Sequence, residues 1–226
     1  MIPTQTIYLC DDDPGVLGAL SFLLKKHGFK VCACASGPEL LLATDAADKP
    51  LRGVFVLDMR MEPMSGPAVH DHLRARGLER RNPVIFLSGH GDIAAAVAAM
   101  AKGAFNFVEK PYTDDTLVPL LQQALELEVQ WQILGQRRDF LQTIWDSLTP
   151  QQRRVALYKS SGELNKVIAS NMGLVDRTVE EHWVKVRDKL GVDSVAALAT
   201  TIADMRACGI DVGTDGGAVV RAGSSS

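Results

Sequence analysis

Through the first 125 residues, short apolar runs alternate with amphipathic stretches, the pattern of a parallel sheet covered by helices. Five strands are predicted, at 6–10, 30–34, 54–57, 84–87 and 105–108. They are nearly all apolar, as strands buried on both faces should be. The helix after the first strand carries Val16, Leu20, Leu23 and Leu24 at helical spacing and stops at Gly28, a residue type suited to a left-handed C-cap.

From Leu117 the period lengthens into a series spaced by threes and fours: Leu117, Leu120, Ala124, Leu127, Trp131, Leu134, Arg138, Leu141, Trp145, Leu148. Only Arg138 breaks it, so the fifth helix is predicted to run on as a heptad-like linker that packs on its own domain or pairs with a second chain. An amphipathic helix lying on a globular domain explains the pattern equally well, and Gly135 is a candidate interruption.

Thr149-Pro150 supplies a new helix start, a hydroxyl cap followed by proline at the first helical position. Four helices are predicted near 150–161, 163–171, 176–190 and 193–206, with tight turns at Gly162, Gly173 and Gly191, as in helix-turn-helix modules. The chain thus divides into an α/β domain at 1–125, a linker helix at 126–147, an all-α domain at 148–207 and a tail at 208–226. The Gly- and Ser-rich tail has too little apolar surface to offset ordering entropy and is expected to be disordered.

Composition adds limits. Hydrophobic residues at 46% and charged residues at 23% are ordinary for a globular protein. No apolar run approaches the roughly 20 residues of a membrane span, and no leader is recognisable, so a cytoplasmic protein is expected. Cys10, Cys32, Cys34 and Cys208 lack metal-ligand spacing and read as small hydrophobes; a redox role for Cys32 and Cys34, on one strand face, is the lesser reading. Net charge is −3, but residues 150–207 hold nine Lys/Arg against seven Asp/Glu. That third is the candidate for meeting a phosphate backbone.

The polar residues of the first domain gather at one sheet edge: Asp11, Asp12 and Asp13 after strand one, then Asp58, Ser88 and Lys110 ending strands three, four and five. Ligands of open parallel sheets bind beyond the carboxyl ends of the strands. With strand order 2-1-3-4-5, Asp11, Asp12 and Asp58 converge. Such carboxylates repel one another unless a cation shares the site, and Mg²⁺ suits a few carboxylates plus phosphate oxygens. A lysine and a hydroxyl opposite would complete a phosphoryl pocket. Taken singly, each residue is more simply a helix cap, a turn residue or a solvated charge.

The motifs LCDDD, VFVLDMRMEPMSG, VIFLSGHGD and FVEKP resemble the receiver domain of response regulators over residues 4–125, which implies a flavodoxin-like doubly wound five-stranded sheet. The resemblance implies that Asp58 takes phosphate from the phosphohistidine of a sensor histidine kinase. It also implies that Asp12 binds Mg²⁺ directly, Asp11 through water, and Asp58 and the Arg60 carbonyl complete the set. Ser88 and Lys110 would grip the phosphoryl group, and Phe107 would move with Ser88; the plainer alternative makes Phe107 a core side chain. Glu62 stands where the family usually has proline, with Pro63 displaced by one.

Residues 148–206 resemble the four-helix LuxR/FixJ-type helix-turn-helix module. In that motif the second helix enters the major groove, which makes 163–171 the scaffold and 176–190 the reader. Val179, Val186 and Leu190 should be buried. Lys166, Arg177, Thr178, His182, Lys185 and Lys189 are expected at phosphates, and Glu180, Glu181 and Val184 at base edges. Glu181 and Trp183 depart from the family pattern, and Trp183 would extend the buried stripe. A charged helix is otherwise most often a solvated face.

The two resemblances imply a transcription regulator, not an enzyme: phosphorylation of Asp58 promotes a homodimer that binds double-stranded DNA, with RNA polymerase as a further partner. Two alternatives stand beside it. One is an aspartyl-phosphate phosphohydrolase of the haloacid-dehalogenase kind, which nearly fits Asp11-x-Asp13 but wants Thr or Val where Gly15 stands. The other is a DNA-binding regulator that is never phosphorylated.

Overall fold

The computed structural model describes residues 5–46, 51–89 and 93–213, and the chain splits into two compact units, Met1–Ile133 and Leu134–Ser226. In the first, β1 (Thr6–Cys10), β2 (Lys30–Cys34), β3 (Gly53–Asp58), β4 (Val84–Ser88) and β5 (Asn106–Glu109) form one parallel sheet in the order β2-β1-β3-β4-β5. The expected order 2-1-3-4-5 is the observed one. Its helices are α1 (Pro14–Lys26), α2 (Gly37–Ala46), α3 (Gly66–Ala75), α4 (Ile93–Ala101) and the first part of α5 (Asp114–Asp146), whose residues from Leu134 on belong to the second unit.

Because side chains alternate along a strand, each strand feeds two cores. Tyr8, Cys10, Phe55, Leu57 and Phe86 pack under α2 and α3 with Leu40, Val69 and Leu73. Ile7, Leu9, Val54, Val56, Ile85 and Leu87 pack on the other face with Leu20 and Leu24 of α1 and Leu117, Leu121 and Ala124 of α5. α1 starts where the Asp13 carboxylate accepts from the N–H groups of Gly15 and Val16, ahead of proline at its first turn.

Helix α5 runs unbroken through Gly135 to Asp146, but its inward face differs from the predicted series. Leu117, Leu121, Ala124, Glu128 and Gln132 point inward, whereas Leu134 and Arg138 are exposed. Glu128 is fully buried because Arg52 meets it through Nε at 2.5 Å and Nη2 at 3.0 Å, and Gln5 donates to it at 2.6 Å. Gln132 donates to the Leu51 carbonyl at 3.1 Å. The hydrophobic period missed this because a paired charge occupies a position that apolar residues hold in earlier turns.

The second unit contains α6 (Pro150–Ser160), α7 (Asn165–Met172), α8 (Asp176–Leu190) and α9 (Val195–Ala207). Thr149 and Gln152 form a reciprocal capping box at the predicted start of α6. α6 packs on α8 and α9, and α7 packs on α8. The core holds Trp145, Leu148, Val155, Ile168, Leu198 and Ile202, joined by Val179, Val186 and Leu190 of the predicted reader. The expectation of a tail disordered from residue 208 needs correction through 213, since Ile210 and Val212 are buried in this core and extend it past α9. The remainder of that tail, 214–226, lies outside the described residues. Among them, no helix is long and apolar enough to cross a membrane.

Candidate phosphoryl pocket and DNA-reading helix

Parallel pairing of β1 and β3 sets Cys10 beside Leu57, so the residues that follow these strands emerge together. Lys110 comes directly after β5 and reaches across. Its Nζ lies 2.8 Å from Asp11 Oδ2 and 2.5 Å from Asp58 Oδ1. The other Asp58 oxygen accepts from the Arg60 N–H at 2.7 Å. Asp13 N–H donates to Asp11 Oδ1 at 3.0 Å, and Glu62 N–H donates to Asp12 Oδ2 at 2.9 Å. Asp11, Asp12, Asp58, Arg60 and Lys110 therefore meet at one crevice, although they are separated by up to 99 residues.

Burial pushes the Asp58 carboxyl above its ordinary range, against the opposing pull of the Lys110 ammonium and the Arg60 N–H. For Lys110, burial favours loss of the proton, but the Asp11 and Asp58 carboxylates outweigh it and hold the ammonium above its ordinary value. The pocket is thus a triad of two acids bridged by one cation, with negative charge in excess when all three are ionised. Ser88 is buried at the end of β4, and its hydroxyl donates to the Val108 carbonyl at 3.4 Å. Phe107 is 38% exposed, on the solvent side of β5 rather than in the core. Residues 90–92 of the VIFLSGHGD motif lie outside the described residues.

The oxygen-only donor set of Asp11, Asp12, Asp58 and the Arg60 carbonyl has the chemistry a small hard cation requires. Among the described residues, however, no three His, Cys, Asp or Glu groups are spaced to share one metal ion; Lys110 bridges Asp11 and Asp58 and offsets part of their charge.

Sequence reasoning overlooked the Glu62 N–H. Its partner Asp12 is 50 residues away, and a backbone donor leaves no trace in residue type. It also overlooked Gly66, where an added Cβ would stand 2.1 Å from the Asp58 carbonyl oxygen. The signal available was Ser65-Gly66-Pro67 at the end of the motif and just past it, a serine cap followed by glycine and proline opening a helix.

On α8 the buried stripe is Val179, Trp183, Val186 and Leu190, so Trp183 extends the core as expected, with the Lys159 ammonium 5.7 Å from its ring centroid. The opposite face exposes Arg177, Glu180, Glu181, Val184 and Lys185; Lys166 is exposed on α7. Thr178 and His182 are half-buried, and His182 Nδ1 is enclosed without a hydrogen-bond partner. Three residues expected to contact DNA are already engaged within the unit. Asn165 holds Glu180 at 2.8 Å, and Arg177 pairs with Glu181 at 3.3 Å. Lys189 donates to the Ser147 carbonyl at 2.6 Å and to Gln152 Oε1 at 3.1 Å, which removes it from the expected phosphate contacts.

A sheet of order 2-1-3-4-5 whose strand ends hold acids against a lysine, in one chain with a helix-turn-helix, defines the class of regulators that join a receiver to a DNA-reading module. The comparisons agree. Residues 7–122 match the model of the response regulator receiver domain, and residues 146–202 match that of bacterial regulatory proteins of the luxR family. The chain is 36% identical over 194 residues to the C4-dicarboxylate transport transcriptional regulatory protein DctR of Rhodobacter capsulatus, covering 86% of this chain and 97% of that protein. It is 33% identical to the transcriptional regulatory protein FixJ of Rhizobium meliloti, covering 85% and 92%. Among solved structures, the response regulator StyR superposes with a TM-score of 0.75 at 32% identity, covering 88% of this chain and 98% of that one. Full-length FixJ from B. japonicum gives 0.54 at 28% identity, covering 90% and 98%. The chain belongs to the FixJ/NarL family of two-component response regulators.

Proposed function

We propose that Asp58 is the phosphoacceptor of this regulator and that its phosphorylation by a sensor histidine kinase promotes homodimerisation and DNA binding by α8. The carrying observation is the Lys110 ammonium bridging Asp58 and Asp11. An Asp58 oxygen attacks the phosphorus of the kinase phosphohistidine, the P–N bond breaks, and the imidazole leaves. Lys110 then meets charge on the transferred group, and Ser88 hydrogen-bonds one of its oxygens after leaving the Val108 carbonyl. Asp11, Asp12, Asp58 and the Arg60 carbonyl would hold Mg²⁺, which when bound neutralises phosphoryl oxygens. The Glu62 N–H keeps the Asp12 carboxylate aimed at the crevice. Phe107, 38% exposed on β5, would respond when Ser88 shifts.

Lys166, Arg177, Thr178, His182 and Lys185 supply phosphate contacts, and Glu181 and Val184 read base edges, with Glu180 held ready by Asn165. The domain limits at 125 and 148, a cytoplasmic location and contact with RNA polymerase belong to the same reading. Against the phosphohydrolase alternative, Asp13 is occupied as the cap of α1 instead of facing the crevice as a general acid.

Incubation with acetyl phosphate and Mg²⁺, followed by intact mass, sedimentation and DNA capture, tests the proposal. Wild type should gain one phosphoryl group, become dimeric and bind its operator more tightly, and Asp58→Asn should do none of these. Phosphate on Asp58→Asn, or full phosphorylation with unchanged mass distribution and DNA binding, would overturn it.

A further inference from the structure

Beside the crevice lies a second chemical feature that phosphoryl transfer does not use. Cys10, Cys32 and Cys34 sit on one face of neighbouring strands: Cys10 is paired in register with Cys34, and Cys32 precedes Cys34 by two residues. All three are free thiols. The Cys32 and Cys34 side chains project from the same face of β2 toward one core. Cys34 and Cys10 are buried, whereas Cys32 is half-buried.

Two further observations tie this pair to the pocket. β2 is the edge strand of the sheet, with β1 as its one neighbour, so distorting it disturbs a single ladder. The last rung of that contact is the Asp11 N–H donating to the Cys34 carbonyl at 3.3 Å. Residues two apart on a strand have Cα atoms about 6.6 Å from one another, near the upper end of the disulfide range, so a bond between them draws the strand together locally.

We propose that Cys32 and Cys34 form an oxidisable dithiol, and that their disulfide pulls the Cys34 carbonyl from Asp11 and slows phosphorylation of Asp58. The oxidant is a hydroperoxide. The Cys32 sulfur takes its terminal oxygen, the O–O bond breaks, and the alcohol leaves, or water when the oxidant is hydrogen peroxide. The Cys34 sulfur then attacks the sulfenic sulfur, the S–O bond breaks, and the oxygen leaves as water with the Cys34 proton. Two thiols and one hydroperoxide give one disulfide, one alcohol and one water. Thiols that act this way combine access with thiolate character and often an adjacent resolving cysteine; burial raises the Cys34 thiol pKa, so the resolving step draws on a small thiolate fraction. The effect on phosphorylation rests on Asp58 as acceptor; the disulfide itself does not.

Full-length protein is treated with hydrogen peroxide and alkylated, then analysed by intact mass and non-reducing peptide mapping. Reduced and oxidised samples are next compared for phosphorylation rate with acetyl phosphate and Mg²⁺. The expected result is loss of two hydrogens, a Cys32–Cys34 link, and phosphorylation slowed about fivefold or more, restored by a thiol reductant. Cys32→Ser and, separately, Cys32→Ala should form no link and keep their rate after peroxide, while Cys208→Ser should behave as wild type. Overoxidation without a link, or a Cys10–Cys34 link, overturns the assigned pair. Quantitative Cys32–Cys34 oxidation with an unchanged rate overturns the coupling. Failure of the reduced protein to be phosphorylated would count against Asp58 as acceptor, and the mapping would still decide the disulfide.

Discussion

Glu128 and Arg52 provide a test of how the base of the sheet is held. Their side chains are 0% and 9% exposed, and the carboxylate takes two hydrogen bonds from the guanidinium and one from Gln5. Arg52→Met would leave a buried carboxylate with the Gln5 amide alone. Breaking one side of such a pair costs about 3 kcal/mol, equivalent to roughly a hundredfold more frequent opening. Replacing both partners, as in Arg52→Met with Glu128→Leu, removes the unpaired charge as well and should cost less than the single change. Hydrogen exchange across urea, read on peptides from β3 and from residues 125–133, would measure both. Because α5 is anchored here to the segment before β3, the two peptides should lose protection together. A single variant within about 0.5 kcal/mol of wild type, or a double variant worse than it, would refute the reasoning.

Three other outcomes follow from the geometry. His70 is buried edge-on against Phe86; burial first, then Arg74 and Lys102 against the opposing Asp71, hold its pKa below the ordinary value. The unfolded chain therefore binds a proton there that the fold resists, so the first unit should keep its full stability above about pH 6.5 and lose up to about 1.4 kcal/mol per pH unit below it. Urea midpoints that fall equally in His70→Phe as the pH is lowered below about 6.5 would contradict this. Gly66→Ala should push on the Asp58 carbonyl and slow phosphorylation by on the order of tenfold to a hundredfold with little loss of far-ultraviolet dichroism, and an unchanged rate would show that the loop yields without moving the acceptor. Trp183→Ala should cost the helical unit about 3 to 5 kcal/mol and abolish operator binding while Asp58 is still phosphorylated, and retained binding would place Trp183 outside the core.

The pocket was largely legible because its residues stand at strand ends, and a parallel sheet brings strand ends to one edge. Asp11, Asp58 and Lys110 were found in this way, as was the buried stripe of α8 from its spacing of fours and threes. What could not be read were contacts made by backbone groups or by pairs distant in sequence: the Glu62 N–H on Asp12, Asn165 on Glu180, and Lys189 turned inward to Ser147. For Glu180 and Lys189 the residue type permitted both a solvated and an engaged side chain, and the Glu62 donor is a backbone group.

Alternation and period alone determined that this chain makes a five-stranded α/β domain and a helical module, since apolar residues must leave water whichever partners they find. They also determined which acids share an edge. Only the tertiary structure decided which charges meet. Glu128 occupies an inward turn of α5 because Arg52 waits beneath the sheet, and Lys110 rather than solvent lies between Asp11 and Asp58. A buried charge depends on a partner within a few ångströms, and that distance is set by folding, not by separation along the chain.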